Sequence, residues 1–132
     1  MRNNFEVVVV SSDLQHRLQL AEILTKLGLD PICASTLREC NESLSQRNVG
    51  LVFCDAHISD GDYQDLLKGH PDRKPRLVVT SRSEDRDEFS SAMDQGAFYV
   101  ISTPYRPTDV EWMVIQAKRA SQRTASASLQ YA

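Results

Sequence analysis

Cysteine, glycine and proline are all scarce, with three, five and five copies in 132 residues. The cysteines (Cys33, Cys40 and Cys54) form no C-x-x-C pair, and an odd count without a framework excludes a disulfide-stapled secreted domain. They read as reduced thiols in a cytoplasmic protein. So little glycine and proline excludes a collagen-like chain. No apolar run approaches the ~20 residues needed to cross a bilayer. The N-terminus has one arginine and no apolar signal core, so no secretory peptide is expected. A basic excess is missing too: fifteen Lys and Arg face eighteen Asp and Glu, a net charge of −3. That argues against a dedicated nucleic-acid binder, which needs cations to neutralise phosphates. No period of 20–50 residues recurs, which removes solenoids and propellers. Neither G-x-x-x-x-G-K nor G-x-G-x-x-G occurs, so nucleotide-binding sites have no support. His16, His57 and His70 lack the spacing of a zinc site.

What is present is an ordinary globular balance, 41 % hydrophobic and 25 % charged. The length suits one domain, expected over residues 1–122, able to bury about two-thirds of its unfolded surface. Short apolar runs alternate with helix-period stretches. Phe5 to Val10 is too apolar to be half-exposed and reads as a central strand. It stops at Ser11, Ser12 and Asp13, all good helix-capping residues. Leu14, Leu18, Ala21, Ile23, Leu24 and Leu27 then suggest one broad helical face, ended by Gly28. Pro31 to Ala34 reads as an edge strand. Leu37, Cys40 and Leu44 mark a helix capped by Ser35 or Thr36. Leu51 to Cys54 is a third strand, residues 62–69 a short helix, and Leu77 to Thr80 a fourth strand. A weak helix through Phe89, Ala92 and Met93 ends at Gly96. Ala97 to Ile101 is the fifth strand, and Pro107 opens a last helix through Val110, Val114 and Ala117. Beyond about Ser121 the chain is Ser, Ala, Gln and Thr, so residues 123–132 are expected to be a flexible tail or the start of a linker.

Such alternation implies right-handed βαβ crossovers and a parallel sheet covered on both faces. Ligands and chemistry in these sheets gather beyond the carboxyl ends of the strands. The residues there are Ser11, Ser12 and Asp13, then Asp55, Thr80 and Thr103. Asp55 follows Leu-Val-Phe-Cys directly, where a carboxylate serves as a nucleophile or metal ligand; a turn former or helix cap is the plainer alternative. Thr80 can offer Asp55 a hydroxyl, although β-branched residues commonly end strands.

The ordered set V-V-V-V-S-S-D with Arg17 nearby, L-V-F-C-D-A-H-I-S-D-G, L-V-V-T-S and G-A-F-Y-V-I-S-T-P-Y resembles the receiver domain of bacterial response regulators over roughly residues 5–120. The resemblance implies a flavodoxin-like, three-layer α/β/α fold, with a five-stranded parallel sheet and helices on both faces. It implies that Asp55 is the phospho-acceptor, that Thr80 is the switch hydroxyl, and that Pro104 matches the proline of a lysine-proline pair. It also implies a histidine kinase or phosphotransfer protein as partner, and Mg²⁺ held by Asp55, the His57 backbone carbonyl and the residues after the first strand.

Three of the family's usual active-site groups are absent. Ser11 and Ser12 stand where two acidic residues are usual, and Thr103 replaces the lysine. Mg²⁺ is a hard cation that wants one or two carboxylate anchors. Ser12 contributes a neutral hydroxyl, and Asp13 comes one residue late and reaches an ion only through water. Each lost carboxylate also removes repulsion of about 3 kcal/mol at ~5 Å and an effective dielectric near 20. Asp55 can then stay ionised without a metal, while phosphoryl transfer, which needs positioned cations, is slowed. Two readings follow: a two-component receiver with weakened Mg²⁺-dependent phosphorylation, or a phosphorylation-independent pseudo-receiver. No complete acid–base or nucleophile–base set occurs, so an enzyme is not expected.

Trp112, Met113 and Ile115 fall partly outside the core stripe of the last helix. With Tyr99 and Tyr105 they suggest an interface, a homodimer contact through the fourth helix, fifth strand and fifth helix in the family's terms. A broad core stripe is the alternative.

Overall fold

In the computed structural model, which describes residues 5–69, 76–81, 86–102 and 105–130, the apolar runs become strands and the helix-period stretches become helices. The order is β1 (Glu6–Val10), α1 (Leu14–Lys26), β2 (Ile32–Ala34), α2 (Leu37–Gln46), β3 (Val49–Asp55), β4 (His57–Ile58), β5 (Gly61–Asp62), α3 (Tyr63–Gly69), β6 (Leu77–Ser81), α4 (Arg86–Asp94), β7 (Tyr99–Ser102) and α5 (Pro107–Gln130). The five expected strands are β1, β2, β3, β6 and β7, which form one sheet in the order β2-β1-β3-β6-β7 with every pairing parallel. A further short antiparallel pair, β4–β5, follows β3.

Strand alternation sorts the core into two halves. Val8, Val10, Val52, Cys54, Leu77 and Val79 point to one face, where α2, α3 and α4 cover them with Leu37, Cys40, Leu66, Leu67 and Ala92. Val7, Val9, Leu51, Phe53 and Val78 point to the other, against Leu20 and Leu24 of α1 and Val110, Met113, Val114 and Ala117 of α5. The result is the expected three-layer flavodoxin-like architecture. β2 lies at a sheet edge, as its proline suggested.

Local chemistry sets the helix ends. Asp13 caps α1, its side chain accepting from the N–H groups of Gln15 and His16. Thr36 caps α2 by accepting from Glu39 N. Gly28, at φ +86°, turns the chain out of α1 through a conformation that costs a residue with a Cβ.

Three expectations change. Leu14 and Leu18, expected on the buried face, are 57 % and 58 % exposed; Leu24 is buried as expected, and Leu20, outside the expected face, is buried with it. The helix is apolar around more of its circumference than its contact needs, so spacing alone misplaced the face. Met113 is 3 % exposed and belongs to the core, whereas Trp112 and Ile115 lie outside it. Helix α5 continues to Gln130 through the segment that composition marked as a tail. Extending a formed helix with Ala, Gln and Leu requires no new nucleation.

The α1 register has a direct test. Leu24→Ala should cost about 2–5 kcal/mol, as full truncation in a packed core does. Leu18→Ala should stay within about 0.5 kcal/mol, as expected at the surface. Urea melts of the two variants check both, and equal losses would reverse the assignment of the face.

Candidate functional site

The period of two that builds the core also builds the site. Val9, Phe53 and Val78 lie side by side in the sheet, in the registers Val9↔Phe53 and Phe53↔Val78. Two residues further along each strand, on the same face, come Ser11, Asp55 and Thr80. Asp55 and Thr80 are register partners. Ser11 follows β1 and is held by its own N–H to Ala34 O at 3.0 Å. A polar row therefore caps an apolar one at the carboxyl ends of three adjacent strands.

Both oxygens of the Asp55 carboxylate are engaged. Ser11 Oγ donates to Asp55 Oδ2 at 2.6 Å, and Thr80 Oγ1 donates to Oδ1 at 2.5 Å. Ser11 and Thr80 are 1 % and 3 % exposed, so these bonds form largely out of water. Ser11 Oγ also accepts from Asp13 N at 3.1 Å, and Arg17 Nη1 donates to Ser11 O at 2.8 Å, so both its side chain and its backbone are fixed. Sequence reasoning placed Ser11 at the strand ends as a capping residue in the position of a missing acid, without pairing it to Asp55. Its parity with Val7 and Val9 was the signal that it faces Asp55. Among the described residues no salt bridge reaches Asp55.

The other expected residues divide. Asp13 spends Oδ1 on the N–H groups of Gln15 and His16, at 2.9 and 3.2 Å, which aims it at α1. Ser12 Oγ donates to Ser35 O at 3.3 Å and accepts from Ser59 N at 3.0 Å, stitching three loops together. His57 lies in β4 opposite Asp62, with its side chain exposed. Thr103 and Pro104 lie outside the described residues, as does His70.

The donor set does not suit a tightly resident Mg²⁺. Among the described residues no three His, Cys, Asp or Glu side chains gather where a metal could be held. Asp55 is the one carboxylate of the row, and its two oxygens already accept hydroxyl protons.

Sequence reasoning also missed Asp60. Its Oδ1 accepts from Leu37 N at 2.8 Å and its Oδ2 from Arg38 N at 3.2 Å, so a residue of the β4–β5 turn caps α2 from outside. Those bonds, Leu37 N–H foremost, hold the Asp60 carboxyl below its ordinary value. Gly61 beside it sits at φ +151°, where an added Cβ would run into the Asp65 carboxylate and Leu37. Cys54, next to Asp55, has its thiol pushed well up by burial, with nearby carboxylates adding to the effect. Burial likewise pushes Cys40 up to about 12. Neither thiol is a nucleophile in the folded chain.

The proposed interface residues are partly brought together. Tyr99 meets Trp112 edge-on at 5.5 Å, and Tyr105 meets His16 edge-on at 6.1 Å. Trp112 is 47 % exposed and Ile115 39 %, while Tyr99 and Tyr105 pack against the core from its rim.

No protein-family model matches the chain, and no curated protein does. Solved structures do. The receiver domain of an HD domain-containing protein from Pseudomonas fluorescens superposes with a TM-score of 0.80 at 20 % identity, covering 94 % of this chain and 95 % of that one. A two-component response regulator from Clostridium difficile gives 0.79 at 17 %, covering 87 % and 96 %. NtrX from Brucella abortus gives 0.84 at 23 %, covering 96 % of this chain but 29 % of the longer protein. The chain thus has the fold of response regulator receiver domains. No helix among the described residues is long and apolar enough to cross a membrane.

The Asp60 cap carries a pH signature. Its lowered folded value means that the stability it adds is complete above the unfolded value of about 3.9 and is lost as pH falls through the folded value. Asp60→Ala should therefore lower the urea midpoint at pH 7, and the gap to the parent should narrow only below about pH 3.9. A gap independent of pH would show that the carboxylate charge is not what α2 uses.

Proposed function

We propose that the chain is a signalling receiver in a two-component phosphorelay, with Asp55 at the phospho-acceptor position and Mg²⁺-dependent phosphorylation weakened by Ser11, Ser12 and Thr103. The observation that carries this reading is the Asp55–Thr80 pair, a carboxylate and a hydroxyl in register at the mouths of β3 and β6, within a receiver fold. In the transfer, an Asp55 oxygen forms the new O–P bond while the P–N bond of a kinase's phosphohistidine breaks and the imidazole leaves. Thr80 Oγ1 then lies within reach of the phosphoryl oxygens. The hydroxyls of Ser11 and Thr80 supply hydrogen bonds without charge, so they help to position Asp55 but spread little of the transition-state charge. The chain acts as a phosphorylated signalling module of the bacterial cytoplasm, not as a metabolic enzyme.

A second reading, the phosphorylation-independent pseudo-receiver, is favoured by one specific feature. Both Asp55 oxygens are already satisfied inside the protein, so the carboxylate has a structural role that needs neither metal nor phosphate. In that case the output comes from a partner seated on Tyr99, Tyr105, Trp112 and Ile115, the face that also serves for a homodimer. Neither reading gives this domain a nucleic-acid or membrane partner.

Amide NMR separates the two readings. In the parent chain, millimolar Mg²⁺ with beryllofluoride, which mimics an aspartyl phosphate, should produce small shifts confined to Asp55 and Thr80. Ser11→Asp/Ser12→Asp should bind Mg²⁺ about tenfold more tightly for each carboxylate that faces the ion. It should also be less stable than the parent until Mg²⁺ is added, because like charges then crowd Asp55. Large shifts in the parent that spread to β7 would sink the claim of weakening. No response in either protein would favour the pseudo-receiver. For the interface, Trp112→Glu should abolish concentration-dependent self-association in sedimentation, and an unchanged profile would remove Trp112 from that role.

A further inference from the structure

The turn between β4 and β5 is fixed at its base and tied at its tip to two places distant in sequence. At the base, Ala56 N donates to Thr80 O at 3.0 Å, and Ile58, 7 % exposed, lies in the core. The tip is two exposed residues, Ser59 and Asp60, between the register partners Ile58 and Gly61. Ser59 N donates to Ser12 Oγ at 3.0 Å. Asp60 accepts from Leu37 N and Arg38 N, the first two N–H groups of α2.

The α2 end of this arrangement depends on the tip. Thr36 meets Glu39 N, and Asp60 meets the two N–H groups before it, so the orphan donors of the first turn are shared between a local cap and a distant one. The Leu37 side chain faces the tip as well, since a Cβ on Gly61 would come within 2.7 Å of Leu37 Cδ1.

The other end leads to Asp55. Ser11 Oγ donates to Asp55 Oδ2 and accepts from Asp13 N at 3.1 Å. The second bond closes a small turn in which Ser12 is the middle residue. One hydroxyl therefore grips Asp55 and shapes the segment that presents Ser12 to Ser59. The bonds of Ser12 and Asp60 lie at the surface, where hydrogen bonds open at small cost. The base of the turn is buried and does not follow, so the tip has two arrangements, seated on α2 or released.

We propose that the β4–β5 turn is a strap through which the state of Asp55 sets the capping of α2. While Ser11 holds Asp55, Ser12 holds Ser59, and Asp60 stays on the first turn of α2. A change at Asp55 that takes away the acceptor of Ser11 lets its hydroxyl turn elsewhere, opens the turn around Ser12, and releases the tip. The signal then leaves at α2, on the face of the sheet opposite α5. The coupling requires no phosphorylation and stands apart from both readings of Asp55.

Amide–water exchange measured by NMR tests each link in the full chain. Asp60→Ala should speed exchange at Leu37 and Arg38 about fivefold, the loss of an ordinary cap. Ser12→Ala and Asp55→Ala, neither of which touches α2, should each speed the same two amides at least about twofold. Neither should add to the rate once Asp60 is already alanine. Val8 and Val52, central in the sheet, should keep their parent rates. Ser11→Ala takes the place of Asp55→Ala if that variant does not fold. Parent rates at Leu37 and Arg38 in Ser12→Ala, or in the Asp55 or Ser11 variant, would overturn the proposal. A further rise on the Asp60→Ala background would do so too, because the effect would then pass through Ser35 and not the strap. An equal rise at Val8 and Val52 would reduce it to general loosening and sink the idea.

Discussion

A parallel sheet must be covered on both faces, and the rest of this molecule follows from meeting that demand. Because the crossovers lay helices on each side, both parities of every central strand are apolar, and β1, β3 and β6 carry near-continuous runs of Val, Leu and Phe. A strand of this kind has nowhere to put a polar side chain except at its ends. Ser11, Asp55 and Thr80 are therefore the first positions at which chemistry becomes affordable, and the common register of the strands brings them together.

The site so placed differs in kind from one built on several acids. Carboxylates gathered around Asp55 would repel one another and make a cation part of the fold's own energetics. With hydroxyls in those places, the carboxylate charge is met by dipoles that come with the chain. Arg17 holds the Ser11 carbonyl and Asp13 N–H holds its hydroxyl, so the donor is pre-set. Asp55 thus ties β1, β3 and β6 together at their open ends.

Fold and site were legible to different depths. The strands showed in β-branched runs bounded by Gly, Pro and Ser, because burial on both faces leaves a signal that needs no knowledge of contacts. Asp55 and Thr80 were legible for the same reason, as the first polar residues after such runs. The α1 face was only partly legible, because Leu14, Leu18, Leu20 and Leu24 spread around the helix and its packing on the sheet and α5 decides which of them are buried. Asp60 capping α2 across 23 positions of sequence left no local trace. Nor could spacing show that Ser12 would hold Ser35 and Ser59 together, since hydrogen bonds between loops depend on how the sheet brings those loops side by side.

Helix α5 turns a sheet-bound element into a lever. Its inner turns are clamped by Val110, Met113, Val114 and Ala117, while its 24 residues span about 36 Å at the α-helical rise. Each residue inserted or deleted beyond Ala117 would rotate the distal end by about 100° and displace it by about 1.5 Å. The number of residues in that stretch is therefore a phase setting: a deletion of one would turn the last residues by about 100° around the helix axis, and a deletion of seven would nearly restore their heading.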